Sequence, residues 1–206
     1  MTKKNKIIYI SLMVLSILLT IVMCLLTNEK ETTISAMQAK YPPLGIIWSI
    51  LAAVTVFLNL EFLRKECEIE NIWFKRLIAI GSFSVILTPF TLPESPIGFT
   101  LSFVDLHLIS AIFFAATCYI SLIIILITHR QKHKTQYMTM SLILSIIAFV
   151  SVYEIFSMGG YITAPIEAML LISGLVALFV TNFVLDDKTE VNEKTQVLTN
   201  ENYQNG

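Results

Sequence analysis

The stretch VDLHLISAIFFAATCYISLIIILIT, residues 104–128, decides the fold. After Asp105 and His107 it holds no charge, and a hydrocarbon core about 30 Å thick needs roughly 20 such residues of helix. Working outward, residues 7–26, 43–63, 72–92, 137–157 and 163–185 form further runs of that length. The expected fold is all-α: an integral membrane bundle of six transmembrane helices in one domain, residues 1–185. Residues 186–206, Asn- and Gln-rich and without apolar periodicity, form an expected disordered tail.

Composition agrees with a membrane solvent. Hydrophobic residues make up 55% of the chain and charged ones 14%, with a mean hydropathy of +0.74, against about 25% charged in soluble domains. The net charge of −1 gives no field that would draw nucleic acid. Its distribution is more informative. Lys3, Lys4, Lys6, Arg64, Lys65, Lys75, Arg76, Arg130, Lys132, Lys134, Lys188 and Lys194 fall on one side of the alternating spans, and only Lys30 and Lys40 on the other. The positive-inside rule then places both termini in the cytoplasm of a multi-pass cell-membrane protein.

The Lys-rich start resembles a secretory signal, but its apolar run exceeds the 7–15 residues of a signal core and no small-x-small site follows it, so residues 7–26 read as an uncleaved first span. Cys24, Cys67 and Cys118 are widely spaced, forming no CxxC motif and no evident disulfide framework. Trp48, Trp73, Tyr41, Tyr137 and Tyr161 lie near span ends, where an amphipathic ring can sit at headgroup level. The loop from Thr27 to Pro42 reads as a connector. The segment Glu66–Trp73 is the one cytoplasmic stretch long enough for a coupling helix of a turn or two.

Ionisable groups inside a bilayer are costly and mark sites by default. In this topology Glu94, Asp105, His107, Glu154 and Glu167 all fall on the outer side. Three- and four-residue steps run His107, Ser110, Ala111, Phe114, Thr117, Cys118 and Ser121 along one stripe of the fourth span, and Glu167, Leu170, Gly174 and Thr181 along one of the sixth, with Ala177 at its edge. Small residues there let helices pack closely, which turns His107 and Glu167 toward the bundle. Ser141, Ser145 and Ala148 share a face of the fifth span, and Glu154 lies off it. The candidate site is thus an outer polar cluster of Glu94, Asp105, His107, Ser110, Glu154 and Glu167 that binds a lipid or small ligand. The alternative is a structural role, with His107 and Glu167 hydrogen-bonding across two helices. If a metal binds, His107 is its ligand, yet one histidine falls short of the ligand set of a catalytic zinc site.

The turn Thr88-Pro89-Phe90-Thr91-Leu92-Pro93-Glu94, followed by His107-x-x-x-Ala111-x-x-Phe114, resembles the six-helix bacterial membrane family called domain of unknown function 998, and the Frag1/DRAM-like membrane proteins are similar in the same region. The resemblance implies the six-span layout and a position for His107, with no established activity. Many members have glycine and Asp after the proline, where this chain has Glu94. A more distant similarity, to seven-span zinc-dependent lipid amidases of the alkaline ceramidase and adiponectin receptor type, lacks their paired late histidines and one helix.

No GxSxG elbow, Walker loop or GxGxxG follows a strand pattern. The expected role is therefore non-enzymatic and needs no cofactor. Membrane lipids, and a membrane protein, are the expected partners. A small transporter or permease subunit is the first alternative, since three spans per half would suit an inverted repeat; a metal-dependent membrane lipid hydrolase is the second.

Overall fold

A bilayer offers the backbone no hydrogen-bond partners, so an apolar run that crosses it must close its bonds internally as a helix. The computed structural model describes residues 3–27, 33–90, 104–129, 134–157 and 164–185. In order these form α1 (Lys3–Leu25), α2 (Ile34–Lys40), α3 (Pro42–Glu66), α4 (Ile72–Ser84) with a 3-10 continuation (Val85–Phe90), α5 (Val104–His129), α6 (Lys134–Ser157) and α7 (Ala164–Phe179), which ends in a π-helical turn (Val180–Leu185). Five segments are long and apolar enough to cross a membrane: Asn5–Leu25, Pro42–Glu66, Ile72–Phe90, Ile109–Thr128 and Ala164–Phe183. Within α6 a shorter stretch, Tyr137–Tyr153, is apolar. The molecule is an all-helical membrane bundle. The expected tail, residues 186–206, lies outside the described residues.

The long helices close a ring in which α1 packs on α3, α3 on α4, α4 on α5, α5 on α6, α6 on α7 and α7 on α1. Large apolar side chains such as Ile7, Leu15, Ile47, Ile80 and Phe149 point away from it, as lipid-facing positions do. Inside, α1 presents Met13, Ser16, Thr20 and Met23 at helical spacing. The α4–α5 crossing is tight because Gly81 has no Cβ: one placed there would fall 2.2 Å from Thr117 Cγ2. Among the described side chains of α6 the buried ones are Tyr137, Leu144 and Ser151, two turns apart each time. Ser145 lies outside that seam and donates to its own helix at Ser141 O, 2.9 Å away.

The segment Thr27–Pro42 departs from the expected plain connector, because α2 forms within it. Ala, Met, Gln and Lys are good helix formers, and Tyr41-Pro42-Pro43 ends α2 and starts α3, with proline at the first helical positions where its missing N–H costs nothing. Ile34, Met37 and Gln38, at i, i+3 and i+4, are buried. Gly45 on α3 makes room for them, since a Cβ there would meet Gln38 Cβ at 2.8 Å.

Between α3 and α4 no coupling helix forms: α3 continues to Glu66, α4 starts at Ile72, and the return is a turn through Glu68 at φ 53°. Arg64 holds that turn. Its guanidinium donates to both carboxylate oxygens of Glu61, at 2.7 and 2.8 Å, and to Ile69 O. Asn71 caps α4, accepting from the N–H groups of Trp73 and Phe74.

Two of the aromatic positions also differ from expectation. Trp73 and Tyr41 are exposed, with cations of Arg76 and Lys40 near their rings. Trp48 and Tyr137 are buried in the bundle. Trp48 lies more than a turn inside α3, and its indole N–H finds a partner there, Thr20 Oγ1 at 3.0 Å, so it has no need of the headgroup layer. Tyr161 lies outside the described residues.

Candidate functional site

A cavity of about 170 Å³ lies between α3, α5 and α7, beneath α2 and the 3-10 turn. Its walls are apolar: Val56 from α3, Phe114, Ala115 and Leu122 from α5, and Leu171, Leu175 and Leu178 from α7. Polar groups gather at the α2 end, where Gln38, Thr88 and Glu167 line it. On α7 the lining runs from Glu167 to Leu178, about 16 Å at 1.5 Å per residue.

Glu167 enters from the first turn of α7, and its Oε2 accepts from Ile34 N–H at 2.6 Å. That N–H opens α2 and has no partner within its own helix, and the partial positive charge of a helix start favours a carboxylate there. One side chain thereby ties α7 to the short helix that roofs the cavity. Gln38, one turn further along α2, is 1% exposed, and its Oε1 has no partner among the described residues. An amide carbonyl buried without a partner costs about 1–3 kcal/mol. On the far wall Tyr119 donates to Leu170 O at 2.8 Å and lies 2.6 Å from Ser173 Oγ, bracing α5 against α7.

His107 stands beside this end and does not line the cavity. Its Nδ1 is 3.1 Å from Thr88 O; a carbonyl can only accept, so the ring donates from Nδ1 and fixes its tautomer. The contact joins the start of α5 to the 3-10 turn at Pro89, where helix-end carbonyls need outside donors. Thr88 itself donates to Val85 O at 2.7 Å.

The stripe read along α5 divides in two. Ala111, Phe114 and Cys118 line the cavity, whereas Ser110 and Thr117 are buried against α4, with Ser110 O accepting from Ser84 Oγ at 3.3 Å and Thr117 seated on Gly81. On α7, Glu167, Leu170 and Gly174 do share the cavity wall, whereas Thr181, the next residue of that stripe, is buried off it and donates to Ala177 O at 2.7 Å. Asp105 and Glu154 lie on α5 and α6 with side chains that are not described, and Glu94 lies outside the described residues. Among the described residues no three His, Cys, Asp or Glu side chains stand close enough to share a metal ion. Gln38, Trp48 and Tyr119 are among the lining residues that sequence periodicity did not single out; the i, i+3, i+4 spacing of Ile34, Met37 and Gln38 is a signal that could have found the first.

No protein-family model, no curated protein and no solved structure matches the chain. The geometry of the cavity is what the function has to be read from.

Proposed function

We propose that the protein is a ligand-binding membrane protein without catalytic activity, and that the cavity under α2 holds a lipid or small apolar molecule. One observation carries the reading: an apolar chamber of about 170 Å³ between α3, α5 and α7, with polar residues, Gln38, Thr88 and Glu167, lining only its α2 end. Apolar cavities of comparable size, about 150 Å³, stay dry and take up a small apolar molecule such as benzene. Volume spread along about 16 Å of helix suits one chain or ring system and is too narrow for two acyl chains side by side.

Charge supports an orientation. Lys6, Arg64, Lys65, Lys75 and Arg76 belong to the ends of α1, α3 and α4 remote from α2, and basic residues of short loops stay in the cytoplasm. The termini then face the cytoplasm of a cell-membrane protein and the α2 roof faces outward. Ligand would enter from the outer leaflet or the outer aqueous side.

Cys118 lines the chamber and reports occupancy. With Cys24 and Cys67 replaced by Ala, N-ethylmaleimide should alkylate Cys118 about tenfold more slowly when decanol is present at ten times its Kd. Gly174→Leu should remove that protection, because a Cβ at Gly174 meets nothing nearer than Tyr119 Cε2 at 3.9 Å and the longer side chain is free to enter the chamber. Equal alkylation rates with and without decanol would refute the reading.

A further inference from the structure

Exposure is unevenly shared around the chamber. On its roof and inner side the lining is sealed: Ile34 and Gln38 of α2, Val56 of α3, and Val85 and Thr88 of the 3-10 turn are each at most 3% exposed. On the side of α5 and α7 it is not. Ile112 lines the chamber and is 55% exposed, and Ala111 and Ala115 beside it, like Leu170, Leu171 and Gly174 on α7, are half-buried. A side chain that belongs both to a cavity wall and to the outer surface stands at the rim of an opening, so the chamber reaches the surface between α5 and α7. Tyr119 closes that gap further along α5 through its bonds to Leu170 O and Ser173 Oγ. Helix α6 packs against both helices, yet none of its described residues lines the chamber.

We infer that this opening is the ligand's entrance, and that the ligand is a single-chain amphiphile which passes sideways out of the bilayer between α5 and α7, not out of water through the α2 roof. The inference rests on the cavity being a ligand site. Ile112 belongs to the span Ile109–Thr128, and Leu170 and Gly174 to Ala164–Phe183. Their exposed neighbours Ile109, Phe113 and Met169 carry the same apolar surface outward, so the opening continues the lipid-facing side of the bundle and has acyl chains in front of it. Hydrocarbon moving through it meets apolar groups at every point and exposes none of them to water. The short side chains of Ala111, Ala115 and Gly174 leave the passage unbarred. A route through the roof would instead lift Ile34, Met37 and Gln38 from their buried places and break the bond from Ile34 N–H to Glu167.

Trp48 lines the chamber, and in the full chain carrying Trp73→Phe it is the single indole and senses occupancy. This protein, in phosphatidylcholine vesicles, is mixed in a stopped-flow cell with vesicles that carry 10-bromodecanol. Bromine quenches the indole on contact. Ile112→Ala widens the rim and Ile112→Phe narrows it, and the two should quench at rates about tenfold apart, the parent lying between them. Met37→Ala loosens the packing of α2, and Met37 is buried off the chamber wall, so this variant should quench at the parent's rate. An unchanged emission before mixing marks a variant as folded, and an exposed position such as Ile112 is replaced at little cost. Faster quenching in Met37→Ala with both Ile112 variants unmoved would put the entrance at the roof and overturn the inference, as would equal rates in all four proteins; in both cases the chamber still binds. If none of the four is quenched, the inference and the binding reading fall together.

Discussion

Two sets of polar groups lie within this bundle, and they differ in how completely they are paired. Along the α1–α3–α7 seam the groups answer one another. Trp48 donates to Thr20 Oγ1 at 3.0 Å, Thr20 to Ser16 O at 2.8 Å, and Ser16 Oγ and Thr55 Oγ1 share a bond of 2.9 Å. Asn59 donates to Thr55 O, and Asn182 to Asn59 Oδ1, both at 2.8 Å. Only Asn182 Oδ1 at its end lacks a partner among the described residues, and it does not line the cavity. At the α2 end of the cavity the opposite holds: Gln38 is a lining residue, and its Oε1 has no partner among the described residues. The seam shows polar residues of membrane spans holding helices together by closing on each other, whereas Gln38, on the short helix outside the spans, and Ser82 and Ser121 on α4 and α5 are buried with an oxygen that no described group answers.

The comparison can be broken by mutation, since paired groups should be costly to remove and open ones cheap. The largest loss is expected at Arg64. Glu61 is 9% exposed, and Arg64→Ala strips its carboxylate of a two-pronged partner while Lys65 stays 3.7 Å away, a loss of about 3 kcal/mol for hydrogen bonds between charged groups. Chemical unfolding in detergent measures it, and a loss below that of an ordinary surface substitution would contradict the pairing. Next is Glu167→Ala, which leaves the Ile34 N–H unanswered at about 1–3 kcal/mol. Faster amide exchange confined to α2 is the expected signature, with Glu167→Gln milder because its oxygen still accepts.

His107→Phe should cost about 1 kcal/mol, the net worth of its bond to Thr88 O, again by unfolding in detergent. A double-mutant cycle between Asn59→Leu and Asn182→Leu should give a coupling near 0.6 kcal/mol, the average for interhelical bonds in membranes. Gln38→Leu stands at the opposite end of the series: it removes an unsatisfied carbonyl and should not destabilise, but raise stability by up to about 1 kcal/mol. A large destabilisation there would show that Gln38 is paired, and would erase the contrast between the two regions.

Much of this was legible in the chain. The six apolar runs became helices because a bilayer leaves the backbone no other choice. The Glu167–Leu170–Gly174 face was readable because α7 meets its neighbours along one stripe. The α5 stripe was less so: with α4 on one side and the cavity on the other, residues a turn apart face different partners, and periodicity alone cannot divide Ser110 from Ala111. Helix α2 is too short to register in a hydropathy window, so Gln38 looked like part of a loop. Trp48 read as an interfacial residue because its partner, Thr20, is 28 positions away and only the fold brings them together.

The most direct test of the central claim is native mass spectrometry of the full chain released from mild detergent, wild type beside Gly174→Leu. The account predicts a bound molecule with the mass of a single-chain amphiphile on the wild type and none on the variant. A wild type that flies bare, or a two-chain phospholipid that stays bound to both proteins, would contradict it.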